Sequence, residues 1–108
     1  MPAPRTLEQM KERFAANDAV CERVTGALSL MSNKTRFRIL CVLAEGDFCV
    51  NDIVDTIQTG KLSNASHQLR ILTLAGVLEK TRERQRVIYH LRDRRLARLI
   101  KVLEKEFS

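Results

Sequence analysis

The chain has 108 residues, 44% hydrophobic and 30% charged, with a net charge of +6. That is one domain's worth of sequence, apolar enough to build a core and too apolar for a disordered chain. No apolar run approaches the roughly 18–20 residues that span a bilayer. The charged opening MPAPRTLEQMKERF has no signal-peptide core, so a cytoplasmic protein with no membrane partner is expected. Three cysteines, an odd number without a CxxC spacing, argue against a secreted disulfide framework and fit reduced thiols.

Pro4 to Ala16 carries Leu7, Met10 and Phe14 at helical spacing, with Thr6 placed as an N-cap. Asn17 and Asp18 interrupt, and a helix over Ala19–Met31 sets Val20, Val24, Ala27, Leu28 and Met31 on one face. Ser32 to Thr35 is a break, after which RFRILCVLAEG predicts an apolar helix stopped by Gly46. DFCVNDIVDTIQ predicts a short helix, TGK a turn around Gly60, and the stretch from about 62 to 75 a further helix. From Val77 the period changes. VLEKTRERQRVIYHL reads as two strands, Val77–Thr81 and Arg86–Leu91, about a charged tip at Arg82–Gln85. After Asp93, a good N-cap, Leu96, Leu99, Ile100 and Leu103 form a last helical stripe.

The stretch LSNASHQLRIL is the most informative. At about 100° per residue, Ser63, Ser66, His67 and Arg70 fall on one side of a helix, and Ala65, Leu69 and Leu72 on the other. A short helix, a Gly-containing turn, this two-sided helix and then a basic hairpin make a winged helix-turn-helix, a mainly α fold with a small β-hairpin. The two-sided helix is of a size to enter the major groove, about 12 Å wide, while the wing follows the flanking backbone. Nine basic residues between Lys80 and Lys101, against only Glu83 and Asp93, supply the charge for a polyanion.

In this arrangement Arg70 offers two donors to a guanine edge, and Ser63, Ser66 and His67 reach bases or phosphates. Asn64, at the margin of that side, contacts DNA or caps the helix. Arg82, Arg84, Gln85 and Arg86 hold the phosphate backbone at the wing. The expectation is a single domain over 1–108 that binds double-stranded operator DNA, with a recognition helix over about 62–75 and a wing over about 77–91. Apolar stripes on the helices over about 6–31 and 93–107 exceed what one small core needs and fit a homodimer seam.

Two histidines, without a Ser/His/Asp order, a phosphate-cradling glycine loop or usefully spaced carboxylates, give an enzyme no support. A winged-helix module for an acidic protein partner, and a non-specific architectural DNA protein, share the same features. Steep salt dependence and a preferred sequence separate DNA reading from both.

TRFRIL (Thr35–Leu40), DFCVNDI (Asp47–Ile53), SNASHQLRIL (Ser63–Leu72) and the Val77–Leu91 hairpin resemble the ArsR/SmtB family of bacterial repressors. The resemblance covers roughly Ala27 to Leu103. It implies an obligate homodimer paired through its first and last helices, an imperfect palindromic operator, and release when an inducer reaches a sensor site. Members of that family sense metals, metalloids or reactive sulfur and oxygen species. Cys49 and Asp52 align with metal ligands of the family, but Asn51 stands where many members carry a second cysteine. Asp93 aligns with a ligand of a zinc site on the last helix, whose His position is Arg95 here, so that site is expected to be absent. Cys41 matches the cysteine that sulfide-responsive members pair with one near the C-terminus, where this chain reads EFS.

Cys21, on the preceding helix, is then the remaining partner for Cys41 on the core side, and a disulfide needs their Cα atoms within about 7 Å. Cys49, near a helix N-terminus, sits where unsatisfied N–H groups favour a thiolate. Three thiols also suit a soft ion such as arsenite, and Cys41 between Leu40 and Val42 suits plain packing. The expected function is a DNA-binding repressor released by an oxidant or a reactive sulfur species through Cys21 and Cys41. The alternative is a metal- or metalloid-sensing repressor using Cys49 with Cys21 and Asp52. No cofactor is required; zinc or arsenite enters only as an inducer.

Overall fold

The computed structural model describes residues 3–58 and 61–108; the turn expected around Gly60 lies outside them. Three helices come first: α1 (Leu7–Ala16), α2 (Asp18–Met31) and α3 (Lys34–Glu45). A two-residue strand, β1 (Phe48–Cys49), leads into α4 (Val50–Ile57) and α5 (Leu62–Leu74). The hairpin β2 (Leu78–Glu83) and β3 (Arg86–Leu91) follows, and α6 (Arg95–Glu106) closes the chain.

Local chemistry sets most of these boundaries. Thr6 and Gln9 form a reciprocal capping box at the start of α1, satisfying two N–H groups that lack helical partners. Asn33 accepts from the Arg36 N–H at 3.0 Å, so α3 begins at Lys34, earlier than the sequence suggests. At the end of α5 the Val77 N–H reaches the Leu72 carbonyl and the Gly76 N–H reaches that of Thr73, both at 3.0 Å. This paired closure requires a left-handed residue, and Gly76 supplies it with φ 79°. The chain therefore leaves the helix directly into β2.

Two expectations are corrected. Phe48 and Cys49 were expected in the short helix, but Cys49 is extended (φ −78°, ψ 165°) and α4 starts only after it. The reason is a ladder with β3, Phe48 opposite Tyr89 and Cys49 opposite Ile88, which gives these backbone groups partners no local helix offers. The sheet order is β1-β3-β2, all antiparallel. The charged tip also shrinks to Arg84–Gln85, because β2 runs on to Glu83 opposite Arg86. Arg84 takes φ 56°, as the first central residue of a tight hairpin turn does.

The core gathers Ile39, Leu40 and Leu43 of α3, Ile53 of α4, Leu69 and Leu72 of α5, Leu78 and Leu91 of the hairpin and Ile100 of α6. Each fully buried Leu or Ile contributes roughly 1.5–3 kcal/mol through removal from water. Helix α1 contributes nothing to this core, and α2 reaches it only through Leu30 and Met31. The two helices extend outward, and the radius of gyration is 17.1 Å against about 13 Å for a compact chain of this length.

Candidate nucleic-acid interface

Helix α5 buries Ala65, Gln68, Leu69 and Leu72, and that burial fixes which side is presented to solvent. Ser63, Ser66, His67 and Arg70 are all exposed on it. Among the described residues these four side chains make no hydrogen bond or ion pair, so their donors and acceptors are free for a ligand.

Asn64 differs from its neighbours. Its Oδ1 accepts from Gln68 Nε2 at 3.3 Å and its Nδ2 donates to Thr35 Oγ1 at 3.5 Å. It is turned into the chain, toward a network that the sequence did not disclose. Gln68, only 8% exposed, accepts from Arg36 Nη1 at 3.0 Å. Arg36 also donates to the Leu30 carbonyl at 2.8 Å and the Ser29 carbonyl at 3.4 Å. One guanidinium thus holds the C-terminus of α2 and the buried side of α5 together. The bidentate geometry suits Arg and not Lys.

The wing splits by alternation. Opposed pairs Leu78–Leu91, Lys80–Tyr89 and Arg82–Val87 share one face, and Glu79–His90, Thr81–Ile88 and Glu83–Arg86 the other. Arg82 therefore faces the α5 side, and Arg84 and Gln85 form the tip. Arg86 lies on the far face, where its Nη2 donates to Cys49 Sγ at 3.1 Å and Asp52 Oδ2 at 3.3 Å. Of the four wing residues expected on phosphate, Arg86 alone has a partner among the described residues.

Much of the remaining basic run is engaged too. Arg94 donates to the Leu43 and Ala44 carbonyls at 3.1 and 3.0 Å, tying α6 to the end of α3. Arg92 pairs with Glu79 at 3.4 Å, and Lys101 with Glu45 at 4.0 Å. Arg95 grips Asp93 at 2.6 and 2.9 Å, which holds that carboxyl well below its ordinary value, at about 2. Lys80, Arg82 and Arg84 have no such partner among the described residues.

The three cysteines are free thiols in three settings. Cys21 is exposed on the outward part of α2. Cys41 is half-buried on α3, in grooves of about 310 and 720 Å³ that Glu104 also lines. Burial first, then the Glu104 and Glu45 carboxylates, push the Cys41 thiol up to about 11. Cys49 is buried at the start of α4. Cys21 and Cys41 are not joined by a disulfide, and Cys21, Cys49 and Asp52 do not form a ligand group. Among the described residues no group of three or more Cys, His, Asp or Glu gathers as for a metal. The carboxylates of Asp52 and Asp93 each carry a guanidinium of their own chain.

A helix with a buried back and an unpartnered polar front, joined to α4 on one side and to a cationic wing on the other, defines a winged helix-turn-helix DNA-binding regulator. The family described as bacterial regulatory protein, arsR family, matches residues 33–80. The biofilm growth-associated repressor of Xylella fastidiosa is 31% identical over 98 residues, 91% of this chain and 79% of that protein. The crystal structure of the repressor BigR from Xylella fastidiosa superposes with a TM-score of 0.76 at 28% identity, covering 96% of this chain and 98% of that one. A cadmium resistance regulatory protein CadC homolog of Staphylococcus aureus is 34% identical over 85 residues, 78% of this chain and 67% of that protein. The solution structure of the homodimeric winged helix-turn-helix DNA-binding domain Mb0332 from Mycobacterium bovis has a TM-score of 0.68 at 25% identity, covering 95% and 87%. This chain belongs to the arsR family, whose members are transcriptional regulators and not enzymes. Among the described residues no helix is long and apolar enough to cross a membrane.

Proposed function

We propose that the chain acts as a homodimeric repressor in the cytoplasm, bound to a two-fold-symmetric operator and released by a thiol-directed inducer. The observation that carries the dimer is an uncovered apolar surface. Leu7, Phe14, Val20, Val24 and Leu28 are each 45–82% exposed, and Leu99 and Val102 of α6 with Phe107 just after it 41–86%. A groove of about 560 Å³ between α2, α3 and α6, lined by Leu28, Met31, Phe37, Leu103 and Phe107, continues it. Apolar area in water costs roughly 25 cal/mol per Å², and a second copy covers the same surface on both subunits. The homodimeric Mb0332 domain supports this assembly.

The thiols support the switch. With a peroxide, one thiol becomes a sulfenic acid as the O–O bond breaks: one oxygen passes to sulfur and the other leaves as water, or as an alcohol from an organic peroxide. Cys21 is exposed beside Val20 and Val24, so its oxidation puts a polar group at the seam; Cys41 stays protonated at neutral pH and reacts more slowly. A metal or metalloid such as zinc or arsenite is the second reading. It is favoured by the convergence of Cys49 Sγ and Asp52 on one cationic group and by the name of the CadC homolog. Such an ion would have to displace Arg86.

Footprinting on the DNA upstream of its own gene, repeated with peroxide, polysulfide, zinc and arsenite, tests both readings. Release by peroxide or polysulfide, lost in Cys21→Ser or Cys41→Ser, is the expected result. Release by zinc or arsenite alone, lost only in Cys49→Ser, would establish the metal reading instead.

A further inference from the structure

Between α5 and the wing lies a groove of about 540 Å³, lined by Arg70, Thr73, Leu74, Lys80 and Tyr89. Lys80 and Tyr89 are cross-strand partners, so they rise from the same hairpin face. That face carries Leu78 and Leu91 into the core at its base and Arg82 toward its tip. Arg70 approaches from the exposed side of α5. The Thr73 hydroxyl gives its hydrogen to the Leu69 carbonyl at 2.7 Å, which leaves the charged donors of the groove to Arg70 and Lys80.

Among the described residues no carboxylate lines this groove. The nearest acidic residues along β2, Glu79 and Glu83, lie on the opposite face. Glu79 is moreover held there by His90 at 3.1 Å and Arg92 at 3.4 Å. Two cations thus share one concavity without a counter-charge, beside the surface that faces DNA. A singly charged, oxygen-rich group is what such a place selects, and the DNA backbone supplies one at every nucleotide.

We propose that this groove seats a backbone phosphate of the operator, held between Arg70 and Lys80. The assignment rests on the DNA-binding function and deepens it. Arg70 becomes a backbone contact and not a reader of guanine, and base reading passes to Ser63, Ser66 and His67. Lys80 becomes a contact residue.

The test compares wild type, Arg70→Ala, Arg70→Lys, Lys80→Ala and His67→Ala on two duplexes of equal length. One is selected from a random pool by the wild type; the other is unselected. Affinities are measured between about 50 and 200 mM salt, where phosphate contacts dominate the slope. Arg70→Ala and Lys80→Ala should weaken both duplexes by the same factor. Each should flatten the log–log salt slope by about 0.9 per phosphate contact removed, twice that for a two-fold dimer. Arg70→Lys should retain the slope, since a phosphate accepts a point charge where a guanine edge needs the fork. His67→Ala should lower the preference between duplexes and leave the slope unchanged.

Circular dichroism of each variant should match the wild type, because both cations are exposed. Loss confined to the selected duplex in Arg70→Ala, unrescued by Lys, would overturn the proposal and return Arg70 to base reading. A wild-type slope in Lys80→Ala would overturn it equally. A wild type that binds neither duplex would defeat the DNA reading itself, a separate outcome.

Discussion

The front of α5 and the wing present hydroxyls, an imidazole, guanidinium groups and an ammonium to water, whereas α1, α2 and α6 present Leu, Val and Phe side chains. Among the described residues, Arg86 apart, both surfaces lack partners within the chain, and water treats them in opposite ways. Polar groups left exposed keep their hydration and cost the free protein little. Apolar groups left exposed cost free energy in proportion to area. A surface of the first kind can be occupied and vacated, as a regulator requires. A surface of the second kind favours permanent cover. Arg36 and Gln68 join the two, since α2 ends on the same guanidinium that holds the back of α5.

The strongest way to break this contrast is to make the apolar surface polar. Leu99→Glu should convert the homodimer to a monomer in sedimentation at micromolar concentration. Operator affinity should fall by roughly 100-fold or more as two linked half-site contacts become independent. A monomeric wild type would remove the contrast altogether.

Next in size is the junction between the surfaces. Gln68→Leu leaves Arg36 without its side-chain acceptor and Asn64 without its donor, and should cost about 1–3 kcal/mol in urea denaturation. Gln68→Glu, which keeps an acceptor for Arg36, should lose less, and should retain more operator affinity.

On the polar surface alone, His67→Ala should reduce operator preference by a free energy within the roughly 1–3 kcal/mol range of a base contact. Melting temperature and oligomeric state should be unchanged. A fall in stability would mean that His67 belongs to the folded scaffold.

The smallest effect concerns Cys41, which belongs to neither surface. Its thiol is raised from 9.0 to about 11 in the folded chain, so the folded form holds its proton where the unfolded chain releases it. The resulting stabilisation is complete below pH 9 and is lost as pH rises through about 11. Wild type should therefore lose stability across that window more steeply than Cys41→Ala. Alkylation of Cys41 by iodoacetamide should accelerate with pH up to the same limit.

How much of this was legible in the sequence depended on how far each contact reaches. The two sides of α5 are written in a local period, Ala65, Leu69 and Leu72 against Ser63, Ser66, His67 and Arg70, and could be read directly. Gln68 is polar by composition and buried by geometry, and only Arg36, far along the chain, explains it. Strand β1 is invisible locally because its two residues are extended by pairing with β3. The basic run misled by count. Arg94 serves carbonyls fifty residues away, and Arg86 serves Cys49 and Asp52, so neither is free charge. Lys80 was missed although alternation from buried Leu78 through Lys80 to Arg82 places all three on one face. The pattern was present, but which face met α5 required the packed hairpin.

Selection of duplexes from a random pool by the wild-type protein tests the central claim, that two copies joined at the apolar surface read DNA with two polar ones. The expected result is an enriched inverted repeat whose half-sites lie about one helical turn apart, or a multiple of it. Enrichment of a single asymmetric site, or of no sequence at all, would contradict it.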